Sequence, residues 1–170
     1  MTYQHAMVST GLGELLMVSD GAALTGVYFE GHRYPPAAEQ IGGRVGERED
    51  AVIARTADEM REYLAGERRD FEVPVHPRGD DFSQQVWRIL TQIPYGGTTT
   101  YGAIAQQLGN KLMAQRVGQA VGHNPVSIVI PCHRVVGANG SLTGFAGGID
   151  RKRTLLDLEE PAEAAAMRLF

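Results

Sequence analysis

Over residues 3–30 the apolar positions fall in short runs broken by glycine. "MVST", "ELLMVSD" and "AALTGVYFE" are separated by Gly-Leu-Gly and by Gly21, and this predicts a meander of strands. The stretch "YPPAAEQIGGRVGERED" (34–50) is rich in Pro, Gly and charge and reads as a surface loop. From Asp50 to Ala65 the spacing of Val52, Ile53, Met60 and Leu64 predicts a helix, with Gly66 as its stop. "FEVPVH" (71–76) alternates like an edge strand that carries a proline. "PRGDD" (77–81) reads as a linker, which divides the chain into residues 1–76 and 82–170.

The second part begins with a helical stripe of Phe82, Val86, Ile89, Leu90 and Ile93, with Trp87 beside it. Asp81, with Gln84 three residues on, has the pattern of a capping box. After a loop (94–100), two short helices are predicted at about 101–108 and 111–122, split by Gly-Asn-Lys, in the manner of a helix-turn-helix. At about 100° per residue the second helix turns Met113, Val117 and Val121 inward. Lys111, Gln115 and Gln119 then face outward, with Arg116 on the boundary. That outward face suits phosphate or base edges as well as plain solvent. Further on, "SIVI" (127–130) reads as a buried strand that Pro131 ends.

The 170 residues and 43% hydrophobic content allow one large domain or two small ones with a real core. His5, Glu14 and Asp20 interrupt the first residues, and no run nears the roughly 18 apolar residues of a membrane span. A cytoplasmic protein with no membrane partner is expected. The lone cysteine cannot form an internal disulfide and offers no cysteine cluster for zinc. His5, His32, His76 and His123 show no metal-ligand spacing, so no metal is expected. The net charge of −4 is uneven: residues 1–81 carry −7, residues 82–153 carry +6 and residues 154–170 carry −3. The basic middle predicts a surface for a polyanion.

Cys132 is that lone cysteine, followed by His133 and Arg134. A free thiol is most often a small buried hydrophobe. At a strand end beside an imidazole and a guanidinium, it becomes a nucleophile if its pKa falls. In a regular strand His133 would point away from Cys132, so pairing needs a turn or a bridging water. The imidazole also needs a carboxylate partner, and Asp150, Asp157, Glu159 and Glu160 all stand downstream.

"IPYGGTTTYGAIAQQLG", "VGHNPVSIVIPCHRVVGANGSLTGFAGG" and "RKRTLLDLE" together resemble the C-terminal domain of the O6-alkylguanine-DNA alkyltransferases, over about residues 82–160. The resemblance implies an α+β fold. A ribonuclease-H-like sheet-plus-helix domain would support a mostly helical winged-helix/helix-turn-helix domain that holds the active-site cysteine. It also implies roles: Cys132 as alkyl acceptor, His133 as its base through a water, Glu159 to orient His133, and Asn124 to brace the turn beneath. Tyr101 would contact the flipped base and help to rotate its phosphate. Main-chain groups of Cys132, Val135 and Ala146 would read the guanine edge, and Phe145 would form a pocket wall. Position 145 is tyrosine in many relatives, so a hydroxyl is missing here.

The family places an arginine finger on the recognition helix, in a run like Ala-Arg-Ala-Val-Gly. Here the run is Ala-Gln-Arg-Val-Gly, which puts Gln115 at the finger position and Arg116 one residue later. Gln115 is expected in the gap, with Arg116 on phosphate or in an intramolecular contact. Thr100, Lys111 and Gln119 join them as DNA contacts. The implied function is repair of duplex DNA through the minor groove. An alkyl group would pass irreversibly from guanine O6, with thymine O4 as a second candidate, to Cys132. That chemistry uses no cofactor and works once per molecule, as a monomer, with cooperativity on DNA left open. An alkylation-sensing regulator and a Cys-His hydrolase are the competing readings. The first would need further binding domains, and the second would leave the basic module unexplained.

Overall fold

The computed structural model describes residues 2–161. The end of the predicted 82–170 unit, with Glu163 and Arg168 of the acidic tail, lies outside the described residues.

The glycine-broken runs form β1 (Gln4–Thr10), β2 (Gly13–Ser19) and β3 (Leu24–Phe29), an antiparallel meander as expected. The 34–50 segment is more ordered than a plain loop. It contains one helical turn, α1 (Ala38–Ile41), and a two-residue strand, β4 (Gly43–Arg44), that pairs parallel with β1. The sheet order is β3-β2-β1-β4. α2 (Ala51–Leu64) starts where Asp50 caps the N–H groups of Val52 and Ile53, and it ends at Gly66, whose φ is 79°. Alternate residues Ala6, Val8, Leu15 and Met17 bury one sheet face against Ile53, Ala57, Met60 and Tyr63 of α2. The "FEVPVH" segment meets the sheet at a single bridge, Leu24 to Val75. Pro74 accepts from Leu24 N–H and has no N–H to extend the ladder.

In the second part, α3 (Asp81–Leu90) buries Val86, Trp87 and Leu90. Its cap is Asp80 rather than the expected Asp81, and Asp80 accepts from Ser83 N–H. Gln84 does not close a capping box, because its amide donates to the Pro77 carbonyl. The Trp87 indole donates to the Ala120 carbonyl at 2.8 Å, which fixes α3 on the second helix of the expected pair. That pair is α4 (Tyr101–Gln107) and α5 (Ala114–Gly122), joined through a 3₁₀ turn at Lys111–Met113. Val117, Ala120 and Val121 of α5 are buried, while Lys111, Gln115, Arg116 and Gln119 are exposed. β5 (Thr99–Thr100) pairs parallel with β6 (Val135–Val136), so the start of α4 is tied to the segment that follows Cys132.

The "SIVI" stretch is not a strand. Val126 forms one bridge to Val27, and then the chain turns sharply, with Val129 N–H reaching Ser127 O at 2.8 Å. Ile128 has a φ of +73°, a costly conformation for a β-branched residue. A final helix, α6 (Ile149–Glu159), was not legible in the apolar pattern, because its buried residues are Lys152, Leu155 and Glu159.

Candidate active site

Cys132 opens a 3₁₀ turn, Cys132–Arg134, just after Pro131. Pro131 has φ −80° and ψ 66°, and Cys132 N–H reaches Ile130 O at 2.8 Å, so the residue forms an inverse γ-turn. Two tight turns, at Ile128 and Pro131, thus deliver the thiol. Asn124 holds them together. Its amide donates to the Ile130 carbonyl at 2.9 Å, and its oxygen accepts from Val126 N–H at 3.0 Å. Cys132 is only 5% exposed and lines a cavity of about 30 Å³ with Tyr101, Asn124, Phe145 and Ala146.

The turn sends His133 and Arg134 into the interior, where both meet Glu159. Of the four carboxylates open in the sequence, Glu159 is the one that pairs with His133, by Nε2 to Oε2 at 2.8 Å. Arg134 grips the same carboxylate through Nε at 2.7 Å and Nη2 at 2.8 Å, and it donates to the Ile93 carbonyl. The Tyr63 hydroxyl, from α2 of the first domain, donates to Glu159 as well. Burial would raise the Glu159 carboxyl, but the hydrogen bonds from His133, Arg134 and Tyr63 win and hold it at about 2. Burial pushes His133 below its ordinary value despite the pull of Glu159. A carboxylate can only accept, so Nε2 carries the ring proton and Nδ1 keeps its lone pair. Nδ1 is buried and has no hydrogen-bond partner among the described residues.

Lys152 is fully buried and donates to the carbonyls of Val135 at 2.6 Å and Thr143 at 3.2 Å. Both partners are neutral, so the ammonium acts electrostatically on its neighbours. Burial pushes the Cys132 thiol up, opposed by the Asn124 side chain, by the Lys152 charge and by backbone N–H groups. Burial likewise pushes Lys152 down, and Cys132 counters it. Neither Lys152 nor Tyr63 stood out in the sequence. The available signal was helical spacing: Lys152, Leu155 and Glu159 recur on one face of α6.

The other expected site residues group differently. Tyr101 lines the cavity, and its hydroxyl accepts from Thr143 Oγ1 at 3.0 Å. Phe145 is half-buried and packs edge-on against Phe29 of β3, with centroids 5.6 Å apart. A Cβ on Gly147 would sit 2.4 Å from the Phe29 ring, so only glycine allows this approach. The main-chain groups are already partly engaged: Cys132 N–H with Ile130, Val135 O with Lys152, and Ala146 O with Arg33 N–H at 2.9 Å. Each carbonyl keeps a second lone pair. Thr100 caps α4 by accepting from Ala103 N–H. The Arg116 guanidinium lies 3.9 Å above the Phe82 ring.

The basic middle of the chain is only partly a surface: of its seven cations, four stay exposed and three turn inward. Lys152 and Arg134 are buried, and Arg151 is taken up by the Glu30 and Gly147 carbonyls and the Phe29 ring. Arg88, Lys111, Arg116 and Arg153 stay exposed. Among the described residues no three His, Cys, Asp or Glu side chains gather as a metal site, and no helix is long and apolar enough to cross a membrane.

Fold and site together describe a protein that presents one thiol, with an oriented imidazole and a buried lysine, beside a helix-turn-helix. Residues 3–77 match the ribonuclease-like domain of 6-O-methylguanine DNA methyltransferase, and residues 81–161 match its DNA binding domain. The chain belongs to this family. It is 42% identical over 166 residues to the methylated-DNA–protein-cysteine methyltransferase of Mycobacterium tuberculosis, covering 98% of each chain. It is 40% identical over 162 residues to the inducible methyltransferase of that name from Bacillus subtilis, covering 88% of this chain and 90% of the other. The crystal structure of the M. tuberculosis O6-methylguanine methyltransferase superposes with a TM-score of 0.81 at 38% identity, covering 98% of this chain and 99% of that one. A structure of the same bacterium's protein in complex with DNA gives a TM-score of 0.81 at 37% identity and the same coverage.

Proposed function

We propose that this chain repairs DNA by direct reversal, taking an alkyl group from guanine O6 onto its own Cys132. The observation that carries the reading is the bond from His133 Nε2 to the Glu159 carboxylate, which leaves Nδ1 of the imidazole that follows Cys132 as an acceptor. His133 Nδ1 takes the thiol proton through a water, and the Lys152 charge favours the thiolate left behind. The sulfur attacks the alkyl carbon, an S–C bond forms as the C–O bond breaks, and the guanine leaving group takes up a proton. The product thioether has no second cysteine to resolve it, so each molecule acts once.

The base lies inside a duplex and has to be flipped to reach the thiol, at a cost of a few kcal/mol. The helix-turn-helix supplies that step from the minor groove, with Tyr101 against the base and its phosphate, and Gln115 in the gap. Thr100, Lys111, Arg116 and Gln119 lie along the same approach. Main-chain groups of Cys132, Val135 and Ala146 read the guanine edge, and Phe145 walls the pocket. One chain holds Cys132, His133 and Glu159 together, which supports action as a monomer. A thiol that must stay free fits the reducing cytoplasm.

The test uses a duplex with one O6-methylguanine, analysed as nucleosides after incubation with the protein. Guanine should return in equal measure as the lesion disappears, and Cys132→Ala should leave the lesion intact. Persistence of the lesion with the unaltered protein would overturn the reading.

A further inference from the structure

Leu112 is 88% exposed, and among the described residues it is the one large apolar side chain left in solvent. It lies in the Lys111–Met113 turn that leads into α5. Its backbone is held there, because Leu112 N–H donates to Asn110 Oδ1 at 3.0 Å. Gln115, also exposed, follows three residues later, and residues at that spacing share a helix face. Arg116 is drawn aside onto the Phe82 ring. The leading edge of the helix therefore presents, beside exposed Lys111, an aliphatic group on a held backbone next to an amide.

A duplex that has lost one base to a pocket has a slot with two kinds of wall. Its faces are the apolar surfaces of the neighbouring base pairs, and its inner edge carries the unpaired donors and acceptors of the orphaned base. An aliphatic side chain suits the faces, and apolar wedges between base steps recur among minor-groove binders. An amide suits the edge, since it both donates and accepts. Resting on the function proposed above, we propose that Leu112 enters the slot as a wedge while Gln115 faces the orphaned base. The two side chains divide between them the work of a single long finger. Burial between bases also covers apolar surface that water otherwise wets.

The wedge matters only where there is a stack to fill, so the test compares two substrates. Single-turnover transfer is timed on O6-methylguanine in a duplex and in a single strand, for the unaltered protein, Leu112→Ala and Leu112→Met. A 2-aminopurine next to the lesion reports unstacking in the duplex. Leu112→Ala should slow duplex transfer about tenfold, lower the fluorescence rise, and change the single-strand rate less than about twofold. Leu112→Met, which keeps an apolar side chain of similar length, should restore most of the duplex rate. Equal slowing on both substrates, or no slowing on either, overturns the wedge. Failure of the unaltered protein to methylate Cys132 on the duplex would instead overturn the function on which it rests.

Discussion

Nε2 of His133 donates to Glu159 Oε2 at 2.8 Å, and both side chains are sealed from water. The bond fixes the tautomer and leaves Nδ1 as the free acceptor of the ring. Glu159 also neutralises Arg134 and accepts from Tyr63, so one carboxylate joins the Cys132–Arg134 turn, α6 and the first domain. Glu159→Gln leaves the Arg134 charge buried and unpaired. Denaturant unfolding should show a loss of about 3–5 kcal/mol, and methyl transfer should slow about 100-fold or more. Tyr63→Phe removes one donor only and should cost about 1 kcal/mol.

Lys152 supplies charge without a carboxylate partner, and its influence falls on Cys132. Lys152→Met removes the cation that favours the thiolate, so the thiol pKa should rise. The pH profile of Cys132 alkylation by iodoacetamide, which needs no DNA, should move to higher pH, with at least a roughly tenfold lower rate at neutrality. An unmoved profile would show that Lys152 serves only to cap the Val135 and Thr143 carbonyls.

His32 gives the protein an acid weakness in the first domain. Burial, helped by the Arg151 charge, lowers its pKa from 6.5 to about 4, and its Nδ1 accepts from Phe29 N–H. The folded state therefore resists a proton that the unfolded chain accepts. Stability is complete above pH 6.5 and falls as the pH drops toward 4, by up to about 3 kcal/mol. The Glu159 contribution is lost in a separate, lower window, from 4.5 down to about 2. Melting temperatures of His32→Gln should depend less on pH than those of the unaltered protein between 6.5 and 4.

Tyr101 and Thr143 are joined at 3.0 Å beside the cavity that Cys132 lines. In the proposed reaction, base entry parts them. Thr143→Ala removes the bond and side-chain volume, and transfer from an O6-benzyl lesion should speed up about fivefold relative to O6-methyl. An unchanged ratio would show that the bond does not gate the pocket.

The strands of the first domain, α2 and the helix-turn-helix were legible because each buries an apolar stripe at its own period. α6 was not, because its inner face carries Lys152 and Glu159, polar groups stabilised by partners distant in sequence. The "SIVI" run misled for the opposite reason: it is apolar and buried, yet Asn124 bends it around a positive-φ Ile128. Charge counting overstated the basic surface where cations turn inward, as at Arg134, which pairs with Glu159. Periodicity reports burial, whereas the partners of a buried charge depend on tertiary placement that one sequence does not display.

In the proposed reaction Cys132 ends as the alkyl carrier. Intact mass of the protein after exposure to excess O6-methylguanine duplex tests it most directly. The mass should rise by one methyl group per chain, mapped to the peptide containing Cys132, with no further gain over time and none in Cys132→Ala. An unchanged mass while the lesion disappears, or many lesions removed per molecule, would contradict it.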